Sequence, residues 1–320
     1  MAGDGEFDFI RQRLQPLTEG DPAALDLADD AALLTPGAGE DLVLACDTLV
    51  AGVHFLETDT PQVVASRALR TNLSDLAAMG AVPRAYLSAI AWPRDLDADW
   101  RAAFTAALHR EQAGFGLTLI GGDTTSTPGP LTISLTLVGT VPAGTALRRN
   151  GARIGDDVWI SGVVGDAGLG LKAAGGAGGD LAACRAAYEA PEPRLALGEA
   201  LRGFASAAID VSDGLLADAG HVATASRCAI RIDVDAVPHS PTAHAWLRDG
   251  GQVETLLTSG DDYELLFTAS SDDSAALTAL GGRLGLSLTR IGAVRDGAGV
   301  VAETADGRRL EPQTAGFTHF

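Results

Sequence analysis

Apolar residues recur along this chain with two periods, about 3.6 and 2, and the switches between them predict its elements. Residues 7–17 carry Phe9, Ile10 and Leu14 on one helical face. Residues 25–34 place the acidic pair Asp29-Asp30 ahead of the run Ala31-Ala32-Leu33-Leu34, which predicts an apolar strand. Residues 41–50 read as a strand that Asp47 interrupts from within, and residues 52–55 as a loop holding His54. After Pro61, Val63, Val64, Ala68, Leu69, Leu73, Leu76 and Ala77 return at helical spacing until Gly80 stops the helix. Its last turns read Asn72-Leu-Ser-Asp75-Leu-Ala-Ala-Met-Gly80, with small residues where a surface helix would carry Lys or Glu, and a carboxylate among them.

A strand over 84–92, a helix over 97–114 and a short strand over 117–120 follow, the last running into Gly121-Gly122-Asp123-Thr124-Thr125. Residues 131–141 alternate as one long strand, and the basic, turn-rich stretch 142–153 reads as a linker. The second half restarts with a strand over 157–161 and a glycine-rich segment over 162–172. Two Ala-rich helices divided by Pro191 and Pro193 fill 180–205. A strand over 207–211 enters Ser212-Asp213-Gly214 and a helix to about 226, and another strand covers 230–234. A helix over 253–257, the loop Ser259-Gly-Asp-Asp-Tyr-Glu264, a strand over 265–267, a helix over 274–284 and two strands complete the chain. Strands and helices alternate in this way in α/β or α+β proteins.

Composition narrows the function. With 320 residues and 46% hydrophobic residues the chain can bury one large core or two ordinary ones. No apolar run reaches the ~18 residues of a membrane span, and the first residues lack the basic and apolar regions of a signal peptide. A soluble, cytoplasmic protein with no membrane partner is expected. Cys46, Cys184 and Cys228 are too far apart for a zinc or disulfide framework and read as small buried hydrophobes. A net charge of −19 argues against nucleic acid, whose binding rests on neutralised phosphates.

Six motifs share one design, an Asp at a strand end or helix start flanked by Gly, Ser or Thr. They are Asp29-Asp30, Asp47-Thr48, Asn72 to Asp75, Gly121 to Thr125, Asp210-Val-Ser212-Asp213-Gly214 and Gly260-Asp261-Asp262. Singly each reads as a turn or a cap. Together they suit a site for several hard divalent cations and phosphate, because Mg²⁺ takes oxygen ligands and shares them with substrate phosphates, and close carboxylates repel one another unless cations intervene. Gly121-Gly122 and the loop 162–170 could present backbone N–H groups to phosphate. Gly170-Leu171-Lys172-Ala173 fails the P-loop pattern, and the protein-kinase motifs and a nucleophile elbow are missing from the sequence. His54 alone reads as a packing or surface histidine.

In this order the motifs resemble the thiamine-monophosphate kinase family. The likeness runs through Asp29-Asp30-Ala-Ala-Leu-Leu, Asp47-Thr-Leu-Val-Ala-Gly-Val-His54-Phe-Leu, Asn72 to Gly80, Leu119-Ile-Gly-Gly-Asp123-Thr-Thr, Ile209-Asp210-Val-Ser-Asp213-Gly-Leu, Ser259-Gly-Asp-Asp-Tyr-Glu-Leu and Gly316-Phe-Thr-His-Phe. It implies the two-domain PurM-like fold of aminoimidazole-ribonucleotide synthetase, with an N-terminal sheet domain over 1–145 that binds ATP and metal and dimerises, and a larger C-terminal α/β domain over 146–320. The implied reaction transfers the γ-phosphoryl of ATP onto thiamine monophosphate, with ATP as co-substrate and several Mg²⁺ ions. Carried over by position, Asp30, Asp47, Asp75, Asp123, Asp210 and Asp213 match metal ligands. Gly122, Asp123, Arg149 and Ser212 match nucleotide contacts, and His54, Asp261 and Phe317 match substrate contacts. No catalytic side chain is implied, since positioning and metal electrostatics suffice. Ala45 and Cys46 stand where relatives often have Ser and Thr, and Asp261 where a Glu is more usual. A homodimer is expected, with strand 131–141 pairing across a two-fold axis. The rivals are other members of the superfamily, selenophosphate synthetase and a hydrogenase-maturation carbamoyl dehydratase. The first usually has a reactive Cys or selenocysteine with a Lys in a glycine-rich N-terminal segment. The second ends in Cys, where this chain ends Thr318-His319-Phe320. A non-catalytic Ca²⁺- or partner-binding protein is the reading from another class, and no EF-hand loop supports it.

Overall fold

The period-2 runs of the first half become four strands, Glu40–Val50 (β1), Val82–Pro93 (β2), Thr118–Thr127 (β3) and Thr132–Pro142 (β4), joined in one sheet of order β1-β4-β2-β3. The computed structural model describes residues 6–176 and 181–317; Thr318 to Phe320 of the terminal motif, and the start of the first Ala-rich stretch, lie outside the described residues. The chain divides into two units, one of residues 1–76 and 81–144, the other of residues 77–80 and 145–320.

In the first unit the short helix Glu6–Phe9 (α1) continues as a π turn and a 3₁₀ turn to Thr18. Pro61–Ala78 (α2) and Ala98–Phe115 (α3) are the long helices. Asp97 caps α3 by accepting from Asp99 N–H, and Gly116 ends it in the left-handed region. Glu111 of α3 accepts from Ser66 and Arg70 of α2, tying the two helices side by side. Tyr86 donates to Gln112, and Trp92 packs edge-on against Phe104, so α3 lies on the β2 face that carries both. Along β1 the burial alternates, with Val43 and Leu49 inward and Leu42, Leu44, Cys46 and Thr48 toward the other face.

Four expectations change here. Cys46, read as a small buried hydrophobe, is exposed on β1. The strand over 131–141 is interior: β4 is bonded to β1 from Glu40↔Pro142 to Val50↔Thr132 and to β2 from Val82↔Thr140 to Ala91↔Thr132. Both its edges are occupied, so it cannot pair across a two-fold axis; its alternation records one helix-covered face. Residues 31–34 form no strand. Leu25, Asp26 and Leu27 take φ of 49°, 57° and 53°, which turns the chain so that Ala32 and Leu34 pack with Ala23, Ala24, Ala85 and Ile120 instead of joining a ladder. The short strand at 117–120 in fact continues through Gly121-Gly122-Asp123 to Thr127, because β2 pairs with it along that whole length.

The second unit holds Asp157–Ser161 (β5), Ala205–Asp210 (β6), Ala229–Asp233 (β7), Leu265–Ala269 (β8), Leu288–Arg295 (β9) and Gly299–Glu303 (β10) in the order β10-β7-β9-β5-β8-β6. Its helices are Asp166–Ala174 (α4), Arg185–Glu189 (α5), Leu195–Leu201 (α6), Leu215–Ser226 (α7), Pro241–Arg248 (α8), Val253–Thr258 (α9) and Ser274–Leu284 (α10). The hydrophobic pattern did not predict α8, although Ser240 caps it and Pro241 opens it. One core cluster lies under α7, from Val158, Ile160 and Ile209 to Leu215 and Val222. No helix among the described residues is long and apolar enough to cross a membrane.

Candidate active site

Within the first unit, β1 and α2 meet at Asp47. Its backbone N–H donates to Asn72 Oδ1 at 3.0 Å, and Asn72 Nδ2 returns to Ala68 O. Asn72 is fully buried. Asp75 follows it by three residues and lies on the same side of α2. Burial pushes the Asp47 carboxyl above the ordinary carboxylate range, with nearby His54 a smaller opposing influence.

His54 is locked in its loop. Val50 N–H donates to its Nδ1 at 3.0 Å, which leaves the proton of the neutral ring on Nε2. Arg67, 1% exposed, donates twice to the His54 carbonyl, at 3.2 and 2.9 Å. An isolated histidine with a fixed tautomer and a buried arginine behind it is more constrained than a packing residue needs to be.

Asp30, Gly122 and Asp123 line one cavity of about 640 Å³ in this unit, floored by Leu42, Leu44 and Leu87 of the sheet. Gly122 has φ +148°, and a Cβ there would lie 1.9 Å from Ser88 O of the neighbouring strand. Glycine at this position is required by close strand packing, whatever else its N–H does.

In the second unit Asp210 ends β6 at 3% exposure, and Ser212, Asp213 and Gly214 form the turn into α7. That turn gathers several of the expected residues by backbone bonds. Asp261 N–H donates to Ser212 O and Phe317 N–H to Asp213 O, both at 2.9 Å, and Tyr263 N–H to Val211 O at 2.8 Å. Asp261 and Tyr263 take positive φ of 66° and 51°, a conformation that costs non-glycine residues energy and collects at functional sites. Arg149 lies apart from this group: it is exposed, and its carbonyl accepts from Ser226 at the opposite end of α7.

The Ser259-Gly-Asp-Asp-Tyr-Glu motif divides its labour. Asp262 is a structural cap, accepting from Gly165 and Ala167 N–H at the start of α4 at 2.8 and 3.2 Å, with its carboxyl pushed well up by burial. Glu264 forks onto Arg194 at 2.8 and 2.5 Å and accepts from Ser161 at 2.5 Å. Asp261, the expected substrate contact, is bonded to the Ser212 turn by its backbone N–H, and Gly260 packs against the same turn.

The residues missed by sequence reasoning are Asp218 and His221. Asp213, Asp218 and His221 can bring one ligand atom each within 4.8 Å of one another. Asp218 is 2% exposed, and its carboxyl is pushed up to about 8 by burial and then by the neighbouring charges of Asp210 and Asp213. The signal was present in Leu215-Leu-Ala-Asp218-Ala: a carboxylate in the first turns of an otherwise apolar helix, four residues beyond the N-cap glycine.

Two family profiles match the chain: AIR synthase related protein, N-terminal domain, over residues 28–141, and AIR synthase related protein, C-terminal domain, over residues 153–304. The chain is 45% identical to the thiamine-monophosphate kinase of Caulobacter vibrioides over 319 residues, covering 98% of this chain and 90% of that one. It is similar to the crystal structure of thiamine-monophosphate kinase from Stenotrophomonas maltophilia K279a, with TM-score 0.83 and 42% identity over 97% of this chain and 98% of that one. It also resembles AaThiL complexed with AMPPCP and TMP, with TM-score 0.79 and 30% identity over 100% of this chain and 98% of that one.

Proposed function

The chain belongs to the thiamine-monophosphate kinase family of AIR synthase-related proteins, and on that premise we propose that it carries out ATP-dependent phosphorylation of thiamine monophosphate to thiamine diphosphate. The observation that carries this reading is likeness to enzymes of that activity through nearly the whole chain. In the reaction an oxygen of the acceptor phosphate bonds to the γ-phosphorus as the bond from that phosphorus to the bridging oxygen breaks and ADP leaves. The attacking oxygen is already ionised, so no general base is needed and charge and alignment govern the rate.

Asp30, Asp47, Asp75, Asp123, Asp210 and Asp213 are hard oxygen donors of the kind Mg²⁺ takes, and burial at Asp47 marks a carboxylate whose ionised form gains from a cation. Mg²⁺ held by these residues would offset the charge of two anionic substrates. In this reading the first unit offers Gly122, which shares a cavity with Asp30 and Asp123, to the nucleotide and His54 to the substrate. The second unit offers Ser212 and Arg149 to the nucleotide, and Asp261 and Phe317, both hung on the Ser212–Asp213 turn, to the substrate. The test is nucleotide turnover with thiamine monophosphate beside unphosphorylated thiamine. Turnover is expected with the first and essentially none with the second, which lacks the acceptor oxygen. Equal rates would make the enzyme a thiamine kinase and overturn the reading.

The enzyme is in this reading a cytoplasmic homodimer. Three free thiols suit a reducing compartment. The open face of the four-stranded sheet supports association: Leu44 is 65% exposed, Val82 43% and Leu87 36%, an apolar surface of the sort that is covered in assemblies. Leu44→Asp is expected to shift sedimentation from a dimer to a 32.7 kDa species. A wild-type protein sedimenting at 32.7 kDa at micromolar concentration would refute the dimer.

A further inference from the structure

We propose that Asp218 is the positioning residue of the site, whose buried carboxylate holds the Ser212–Gly214 turn by its N–H side. The inference rests on the phosphotransferase reading for its consequence, and on hydrogen bonds of the turn itself for its geometry. Asp218 Oδ2 accepts from Asp213 N–H at 3.0 Å and from Gly214 N–H at 3.1 Å. The carbonyl side of the same turn is held by Asp261 and Phe317, which bond Ser212 O and Asp213 O. The turn is therefore gripped from both sides, and four residues assigned to nucleotide, metal or substrate depend on it. His221 approaches Asp213 from another direction, its Nε2 lying 3.9 Å from Asp213 Oδ2.

Gly214, the N-cap, is buried with φ 122°, and a Cβ there would lie 2.9–3.0 Å from the Thr258 backbone, so no Ser or Asp at that position could cap α7. Asp218 supplies the acceptor from within the helix instead, and its carboxyl reaches past the N-cap to Asp213 N–H as well. What the buried Asp218 carboxyl adds is one acceptor oxygen for two consecutive N–H groups, which fixes the direction in which the side chains of Ser212 and Asp213 leave the turn. Asp213, with 41% of its side chain exposed, has little packing to fix it otherwise. Asp218 itself touches no substrate in this arrangement.

The test compares wild type, Asp218→Ala and Asp218→Asn in the full chain by three readouts: amide exchange of the segment 211–217 without metal, Mg²⁺ half-saturation, and kcat with thiamine monophosphate. Asp218→Ala is expected to speed exchange of the Asp213 and Gly214 amides by about tenfold or more. It should lower kcat by roughly thirtyfold, with a higher Mg²⁺ requirement and a smaller change in the ATP KM. Asp218→Asn keeps an acceptor oxygen in place and should restore exchange and kcat to within about fivefold of wild type. Faster exchange with unchanged kcat and Mg²⁺ dependence would make Asp218 a cap of the fold and overturn the proposal, as would wild-type exchange in Asp218→Ala. If Asp218→Ala does not fold, Asp218→Asn decides: protected amides with lost activity would overturn it. If wild type fails to turn over thiamine monophosphate, the function reading falls, while the exchange comparison still settles whether Asp218 holds the turn.

Discussion

Asp47→Asn and Asp75→Asn are each expected to lower kcat by a hundred- to a thousandfold, about 3–4 kcal/mol of lost transition-state stabilisation, without unfolding the protein. Asn keeps the shape of Asp and one acceptor oxygen, but not the charge that holds a divalent cation against a transferring phosphoryl. The structure sharpens the argument at Asp47. Its backbone N–H is already satisfied by Asn72, so the fold draws on the main chain there and leaves the carboxyl to other work. Burial makes that carboxyl harder to ionise, so removing the charge should leave the metal-free protein equally stable or slightly more so. The measurements are kcat across a Mg²⁺ titration and the melting temperature without metal. Near wild-type turnover at ordinary Mg²⁺ would remove both residues from the ligand set. A large fall in metal-free melting temperature would make them structural.

Arg194→Ala is expected to cost about 3–5 kcal/mol of stability in the second unit, the usual result of leaving one member of a buried pair behind. Glu264 is 4% exposed and receives two bonds from Arg194. Ser161 donates a third bond to Glu264, and the same hydroxyl oxygen accepts from Leu265 N–H. There is no room for water to take Arg194's place from the Gly162 side, where a Cβ would lie 1.9 Å from Glu264 Oε1. The Glu264 carbonyl also accepts from Val211 N–H, so the pair steadies the strand end that leads into the Ser212 turn. Thermal unfolding should show a drop on the order of 10 °C. Replacing both partners, Arg194→Ala with Glu264→Gln, should recover part of it because the stranded charge is gone. A single variant melting with wild type would show that the ion pair contributes nothing.

The motif Gly-Asp-Asp-Tyr-Glu illustrates how far sequence reasoning reached. Its residues marked a site, yet the two adjacent aspartates could not be told apart. Only folding sends Asp262 to the start of α4, 95 and 97 residues earlier in the chain, and Asp261 to the Ser212 turn. Two consecutive residues at a turn leave the backbone in different directions, and which one is buried depends on distant strands.

By itself the sequence determined the elements whose cause is local. The helix α10 and the strand β5 lie where their periods place them, and α3 runs between Asp97 and Gly116 because capping oxygen and left-handed glycine act within one turn. It also determined the family, because the motifs are contiguous and ordered. Tertiary structure alone decided which strands are neighbours. Alternation in β4 reports that one face is covered but carries no information about its edges, so an interior strand read as a pairing edge. It decided that β3 runs on through Gly121-Gly122, since glycine weakens a strand's own preference and only the partner β2 can hold it extended. It decided, too, that Asp218 belongs to the site: a carboxylate's partners are two backbone N–H groups made available by the end of β6 and the turn into α7, and no periodicity of side chains encodes where a main-chain donor will point.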